Sequence, residues 1–261
     1  MDTQKLKTSP LYEGTDLEAL TNMRRYRELI TSYFRPYLAG EAIEIGAGIG
    51  SMAYHITPHV RSLQLVEPSP NLIETLKARF ADHEKVSVIN KDFNQIIFTA
   101  QDKSFDCVIL VNVLEHIEDD ELALKECFRI LRPGGKLLLF VPALPFLYSN
   151  LDKIVGHFRR YTKSDFLGKV GCVGFRIELA RYFDFLGMFP WFLLNTIGGA
   201  TKFNPALLGI YDKFFVPLTS WIEARFKIQI GKNLIAVLER PQERRDIEMQ
   251  LDGAKNKVSG G

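Results

Sequence analysis

Glu44-Ile45-Gly46-Ala47-Gly48-Ile49-Gly50 sets three glycines at alternate positions at the end of a short, mostly apolar strand-like run, Ala42–Ile45. Glycine lets a backbone turn tightly and approach a ligand with no Cβ in the way, so this loop can cradle a nucleotide. A plain tight turn would use the same residues. The dinucleotide fingerprint needs G-x-G-x-x-G or A; here that last position is Ser51 and the third glycine arrives one residue early. Glu67-Pro68 closes a second apolar run, Leu63–Val66, 21 residues after Gly46. A carboxylate there can accept both hydroxyls of a ribose. Lys91-Asp92-Phe93 ends a third run. Asp92 can accept from an adenine amino group while Phe93 packs on the ring, although a turn-forming Asp-x-Asn reads the same way.

Candidate proton acceptors lie further on. Gly156-His157-Phe158-Arg159-Arg160-Tyr161 carries a histidine that can act as a base near neutral pH. Its arginines can hold a phosphate or carboxylate, and Tyr161 completes a candidate substrate-binding element. The competing reading is a surface loop whose arginines pair with local acids. His116, in Leu114-Glu115-His116-Ile117, is a second candidate base, and a histidine at a helix start can equally be structural.

The elements that must position these groups alternate. Residues 17–38 read as a helix or broken helix pair. Strands are expected at 42–45, 63–66, 86–90, 105–111, 136–141, 175–182 and 234–239. A helix opens at Ser51. Another starts at Ser69-Pro70, with serine as N-cap and proline at the first position. A helix over 119–131 is stopped by Pro133-Gly134-Gly135, and Thr162-Lys163-Ser164-Asp165 has capping-box spacing. Apart from Asp106, Phe105–Val111 is apolar, as a strand buried on both faces requires. Alternation of this kind means a mostly parallel sheet covered on both sides. Asn112 then stands at the carboxyl edge, where open α/β sheets bind ligands.

The elements E-I-G-A-G-I-G, V-E-P-S, K-D-F, L-E-H-I and L-R-P-G-G-K are individually weak. In this order they resemble class I S-adenosylmethionine-dependent methyltransferases of the small-molecule type, the group that includes ubiquinone-biosynthesis methyltransferases. The resemblance covers roughly residues 20–182 and the last strand. It implies an α/β, Rossmann-like, seven-stranded sheet of order 3-2-1-4-5-7-6 with strand 7 antiparallel. It implies S-adenosyl-L-methionine as cofactor, held by Glu44, Gly46, Ala47, Gly48, Gly50, Glu67, Pro68, Asp92, Phe93 and Asn112. No Asn/Asp-Pro-Pro-Tyr/Phe follows the fourth strand, which reads Val111-Asn112-Val113-Leu114, so methylation of a flipped DNA base is disfavoured. The paired-glutamate loop of protein arginine methyltransferases is also absent.

Four segments are expected. They are an N-terminal helical piece (1–40), the methyltransferase domain (41–182 and 232–240), an apolar cap (183–231) and a charged, aperiodic, mobile tail (241–261). The cap joins strands 6 and 7 at the cofactor edge and holds ten aromatics between Phe183 and Ile222, both tryptophans included. It reads as a helical cap with its own core, as the wall of an apolar pocket with Trp191 and Phe192 on the substrate, or as a surface for a membrane or partner. The acceptor is then a small apolar or amphipathic molecule such as a lipid, prenylated quinone or glycolipid, methylated on oxygen or carbon. A rival reading is a non-catalytic binding module that keeps the fold. A nicotinamide oxidoreductase fails at Ser51.

Composition narrows the field. The 261 residues carry a net charge of +2, with 46% hydrophobic and 25% charged residues, so no basic field argues for nucleic acid. Three cysteines, none in a C-x-x-C pair, read as small buried hydrophobes in a reducing compartment and suggest no metal. The longest uncharged apolar stretch, Phe185–Thr201, has 17 residues, short of a membrane span. The polar N-terminus is no signal peptide, so the expected location is the cytoplasm, with membrane association through the cap as an extension.

Overall fold

The computed structural model describes residues 23–242. The start of the expected N-terminal helix and nearly all of the tail lie outside the described residues. Helix α1 (Arg24–Phe34) leads to β1 (Glu41–Ile45), α2 (Ala53–Ile56) and β2 (Ser62–Val66). Then come α3 (Pro70–Arg79), β3 (Val86–Ile89), α4 (Phe93–Ile97), β4 (Phe105–Val111), α5 (Asp120–Ile130) and β5 (Leu131–Pro142). The chain continues through α6 (Asn150–Ile154), α7 (Lys163–Val173) and β6 (Arg176–Phe183). The cap contributes α8 (Phe185–Trp191), α9 (Pro205–Ile210) and α10 (Val216–Arg225), and β7 (Asn233–Glu239) closes the sheet.

The sheet order is β3-β2-β1-β4-β5-β7-β6, as the motifs imply. β1 pairs in parallel with β2 and β4, β4 with β5, and β7 runs antiparallel to both β5 and β6. The central strands are apolar on both faces because helices cover both. On one side Val108, Leu110 and Leu139 pack with α5 and α7. On the other, Ile109, Leu138 and Phe140 pack with Phe34, Ile56 and Leu76. This places the carboxyl ends of β1, β2, β4 and β5 along one edge.

Local signals act as expected with small shifts. Thr162 Oγ1 accepts from Asp165 N at 3.1 Å and starts α7, and Gly174 ends it in the left-handed conformation. Helix α5 stops at Ile130, before the Pro-Gly-Gly, because Leu131 already takes extended backbone and pairs with Phe105. Ser69 occupies the N-cap of α3 ahead of Pro70, but its side chain makes no capping bond.

Candidate functional site

Gly46, Gly48 and Gly50 all have left-handed backbone, with φ of +77°, +56° and +80°. Their roles differ. A Cβ on Gly46 would lie 2.5 Å from Val113 Cγ2, and one on Gly50 2.4 Å from the Phe80 ring, so both are needed for packing as well as for the turn. Gly46 and Ala47 N–H groups donate to Val66 O, and this locks the loop to β2.

Two carboxylates meet behind this loop. Glu67 is buried; its Oε2 accepts from Gly48 N at 2.8 Å and its Oε1 from Ser69 N at 2.9 Å. Glu67 therefore ties the glycine loop to the segment after β2. Each oxygen keeps a further acceptor site, which ribose hydroxyls could share. Glu44 is buried at the end of β1, and its Oε2 has no hydrogen-bond partner. Burial and the neighbouring Glu67 push its carboxyl up to about 8. A buried, unsatisfied acceptor costs free energy unless a donor arrives. A positively charged nucleoside with an amino group supplies such a donor, so these residues fit S-adenosylmethionine.

Pro68 is half-buried, and its carbonyl accepts from Asn90 Nδ2 at 3.1 Å. Asp92 has a structural role besides the expected one, and Phe93 departs from the expectation. Asp92 caps α4, accepting from Gln95 N at 2.8 Å while Gln95 Oε1 accepts from Asp92 N at 3.0 Å. Phe93 is buried in the core, because at the first position of α4 its ring turns inward beneath the sheet. It presents little surface to an adenine.

Asn112 ends β4 exposed, with φ +53°. Leu144, just beyond β5, and Asp184, directly after β6, share this left-handed backbone. Of the four described non-glycine residues with positive φ, only Lys103 lies elsewhere. Unfavourable backbone thus concentrates where three strands deliver chain to the same edge, as it does at functional sites.

Next to Asn112 lies a group assembled from two segments. His157 Nδ1 is 2.8 Å from Asp152 Oδ1, and its Nε2 faces Glu115 Oε1 at 3.8 Å. Asp152 is fully buried and also receives Ser149 N, Ser149 Oγ and the Arg160 guanidinium. Burial alone would raise its carboxyl, but His157 and Arg160 hold it below the usual range. Glu115 is fully buried and neither of its oxygens has a hydrogen-bond partner. Burial raises it to about 7, against the pull of His157. The His116 ring stands edge-on to His157, centroids 4.7 Å apart; desolvation and His157 lower its pKa. Ligand atoms of Glu115, His116 and His157 all lie within 4.8 Å of one another.

Three of the other expected substrate contacts, Arg159, Arg160 and Tyr161, are corrected. Arg160 is buried and spent on Asp152, with its guanidinium 4.5 Å over the Trp191 ring. Arg159 pairs with Asp120 at 2.8 Å and with Glu118 O. Tyr161 is fully buried, its hydroxyl donating to Asp120 Oδ2 at 3.0 Å. This element is thus a clip that fixes His157, not an anion site. Trp191 is half-buried and donates to Leu147 O, while Phe192 touches Phe146 edge-on. Sequence reasoning missed Glu115 and Asp152 as site residues. The signal for Asp152 was available in Ser149-x-x-Asp152, a capping spacing five residues before His157.

Residues 43–139 match the family model of a methyltransferase domain. A demethylmenaquinone methyltransferase of Clavibacter sepedonicus is 23% identical over 150 residues, 56% of this chain and 60% of the relative. A ubiquinone biosynthesis O-methyltransferase of Coxiella burnetii is 26% identical over 95 residues, 36% of this chain and 40% of the relative. The chain thus spans about half the length of these relatives. An S-adenosylmethionine-dependent methyltransferase from Thermotoga maritima shares the fold with a TM-score of 0.57, at 18% identity over 85% of this chain and 93% of that one.

Proposed function

We propose that this chain, which belongs to the class I S-adenosylmethionine-dependent methyltransferases, methylates an oxygen nucleophile of an apolar or amphipathic small molecule, with His157 as the proton acceptor. The observation that carries the reading is the Asp152–His157 pair facing Glu115 beside the carboxyl end of β4. S-adenosylmethionine supplies a methyl group on a sulfonium that is already a good leaving group. The chain's own task is alignment and exclusion of water, plus removal of one proton where the nucleophile is a hydroxyl. Asp152 fixes the tautomer with Nδ1–H, which leaves Nε2 free to take the proton as the new oxygen–carbon bond forms and the carbon–sulfur bond breaks. Glu115, close by, favours the resulting imidazolium. Gly48, Glu44 and Glu67 hold the cofactor, and Asn112 meets its methionine end or the acceptor.

The apolar character of the acceptor is supported by the quinone chemistry in the names of the two relatives. The test is incubation with methyl-labelled cofactor and separate lipid and polar cell extracts. Label in a lipid fraction is expected; label confined to polar metabolites sinks the acceptor class. His157→Asn should lower kcat by about 10²–10⁴-fold while the cofactor Kd stays constant, on the usual scale of a lost general base. A variant with full activity removes the base.

A second reading draws on the unpartnered oxygens of Glu115. Glu115, His116 and His157 could together hold a divalent cation that orients the acceptor's oxygens. Activity that survives dialysis against a chelator keeps the base reading; activity restored only by added metal favours the cation.

A further inference from the structure

The cap's second arm is one continuous helical rod: α9, a π-helical segment Tyr211–Phe215, and α10. Its outward face carries Leu207, Ile210, Phe214, Leu218 and Trp221, spaced three or four apart and about half exposed each. Its inward face carries Asp212, Thr219 and Glu223, all buried. Asp212 accepts from the backbone N–H groups of Arg25 and Tyr26, and Glu223 from Phe185 N. A surface helix of a water-soluble protein has the opposite arrangement, apolar side in and polar side out. The first arm repeats the inversion, with Phe189, Leu193 and Ile197 exposed four residues apart and Asn195 buried.

Charge is sorted with the same sense. Residues 185–231 contain six charged side chains. The two acids, Asp212 and Glu223, are the buried ones; Lys202, Lys213, Arg225 and Lys227 are all exposed. Lys213 Nζ lies 5.2 Å over the Phe214 ring and the Arg225 guanidinium 4.5 Å over that of Trp221. The outer surface is thus a run of large apolar side chains edged only by cations. No helix among the described residues is long and apolar enough to cross a membrane, so such a surface would lie on a bilayer without spanning it.

We infer that the cap docks the protein on an anionic lipid bilayer, its apolar stripe entering the headgroup boundary and its lysines and arginines meeting lipid phosphates. A second copy of this chain is the poorer occupant, because a two-fold contact would set the same four cations against one another. Anionic headgroups complement them, at about 1 kcal/mol, or about fivefold in affinity, per basic residue near the surface. The inference rests on the surface alone and stands whether or not the acceptor is a lipid.

The test is flotation of the full chain with unilamellar vesicles of phosphatidylcholine, with and without phosphatidylglycerol, at low and high salt. Binding to the anionic vesicles, lost at high salt and accompanied by a blue shift of tryptophan emission, is the expected result. Lys213→Glu with Lys227→Glu should weaken it at least about tenfold, by the same per-charge scale. Phe214→Ser with Leu218→Ser should abolish the emission shift. All four side chains are exposed, so cofactor titration by calorimetry should be unchanged in both variants and certifies their fold. No binding to anionic vesicles at low salt overturns the inference. So does a dimer in sedimentation velocity that Phe214→Ser with Leu218→Ser disperses while vesicle binding is absent, because the stripe would then be covered by a second copy.

Discussion

The edge of the sheet and the cap treat polarity in opposite ways. At the sheet, apolar side chains go inward and the unmet carboxylates, Glu44 and Glu115, sit where strands end. In the cap the acids go inward and the apolar rings go outward: Asp184 and Asp212 are met by Tyr26, Lys232 and backbone N–H groups, and Glu223 accepts from Phe185 N with one oxygen while the other has no partner. Unmet carboxylates at the strand ends mark a place made for a small polar ligand, whereas an exposed apolar stripe marks a place made for something with no water in it.

Substitutions can break or sharpen that contrast. The largest effect is expected at Gly48: valine there combines a branched side chain with φ +56°, and should remove cofactor binding measured by calorimetry. Gly46 and Gly50 are less informative, since their clashes with Val113 and Phe80 would damage the fold itself. A folded Gly48→Val protein that binds normally would reduce the loop to a turn.

Glu67→Ala comes next. It should weaken S-adenosylmethionine by about 1.5–3 kcal/mol, the scale of hydrogen bonds to a charged group. It should also lower the melting temperature without ligand, because Gly48 and Ser69 lose their acceptor. Loss of stability with full affinity would make Glu67 purely structural.

Glu44 gives a smaller effect with a defined sign. Its folded-state pKa of about 8 lies above the ordinary carboxylate value, so the native state binds the extra proton. Its contribution to stability is present at low pH and is lost as pH rises through about 8. Glu115, raised to about 7, acts in the same direction. Glu44→Gln should therefore melt at a higher temperature than the parent at about pH 8.5 and show a flatter pH dependence, each kcal/mol appearing as about 2–4 °C. An unchanged pH profile would mean that Glu44 is already partnered. The smallest effect belongs to the cap: Leu218→Ser should change stability in solution by no more than about 0.5 kcal/mol by chemical denaturation, as at other exposed positions. A large loss would show the stripe to be part of a core.

The sheet was legible because each central strand announces itself as an apolar run closed by a glycine or polar residue, as Phe105–Val111 and Asn112 do. The glycine loop was legible as a tight turn because alternate glycines between a strand and a helix mark left-handed backbone. The reversals have a common cause. Gly156–Tyr161 has no periodicity that distinguishes an arginine facing solvent from Arg160 clamped on Asp152, and nothing local buries Tyr161 against Asp120. Leu207, Ile210, Phe214, Leu218 and Trp221 do have a helical period, and such a stripe ordinarily faces a core. Period fixes that residues share a face; only tertiary contacts decide which way the face looks.

The bonds from Arg25 and Tyr26 to Asp212 also bear on how the chain is made. Helix α1 has no side-chain cap of its own at Met23, so the free N–H groups of its first turn are met by a carboxylate 187 and 186 residues further along. Synthesised before the sheet, α1 must wait uncapped until Asp212 is made, after six of the seven strands. Its amides should therefore be among the last to gain protection in pulsed hydrogen exchange during refolding, since a contact of such long sequence separation closes late. The first described helix of the chain would be the last to be finished.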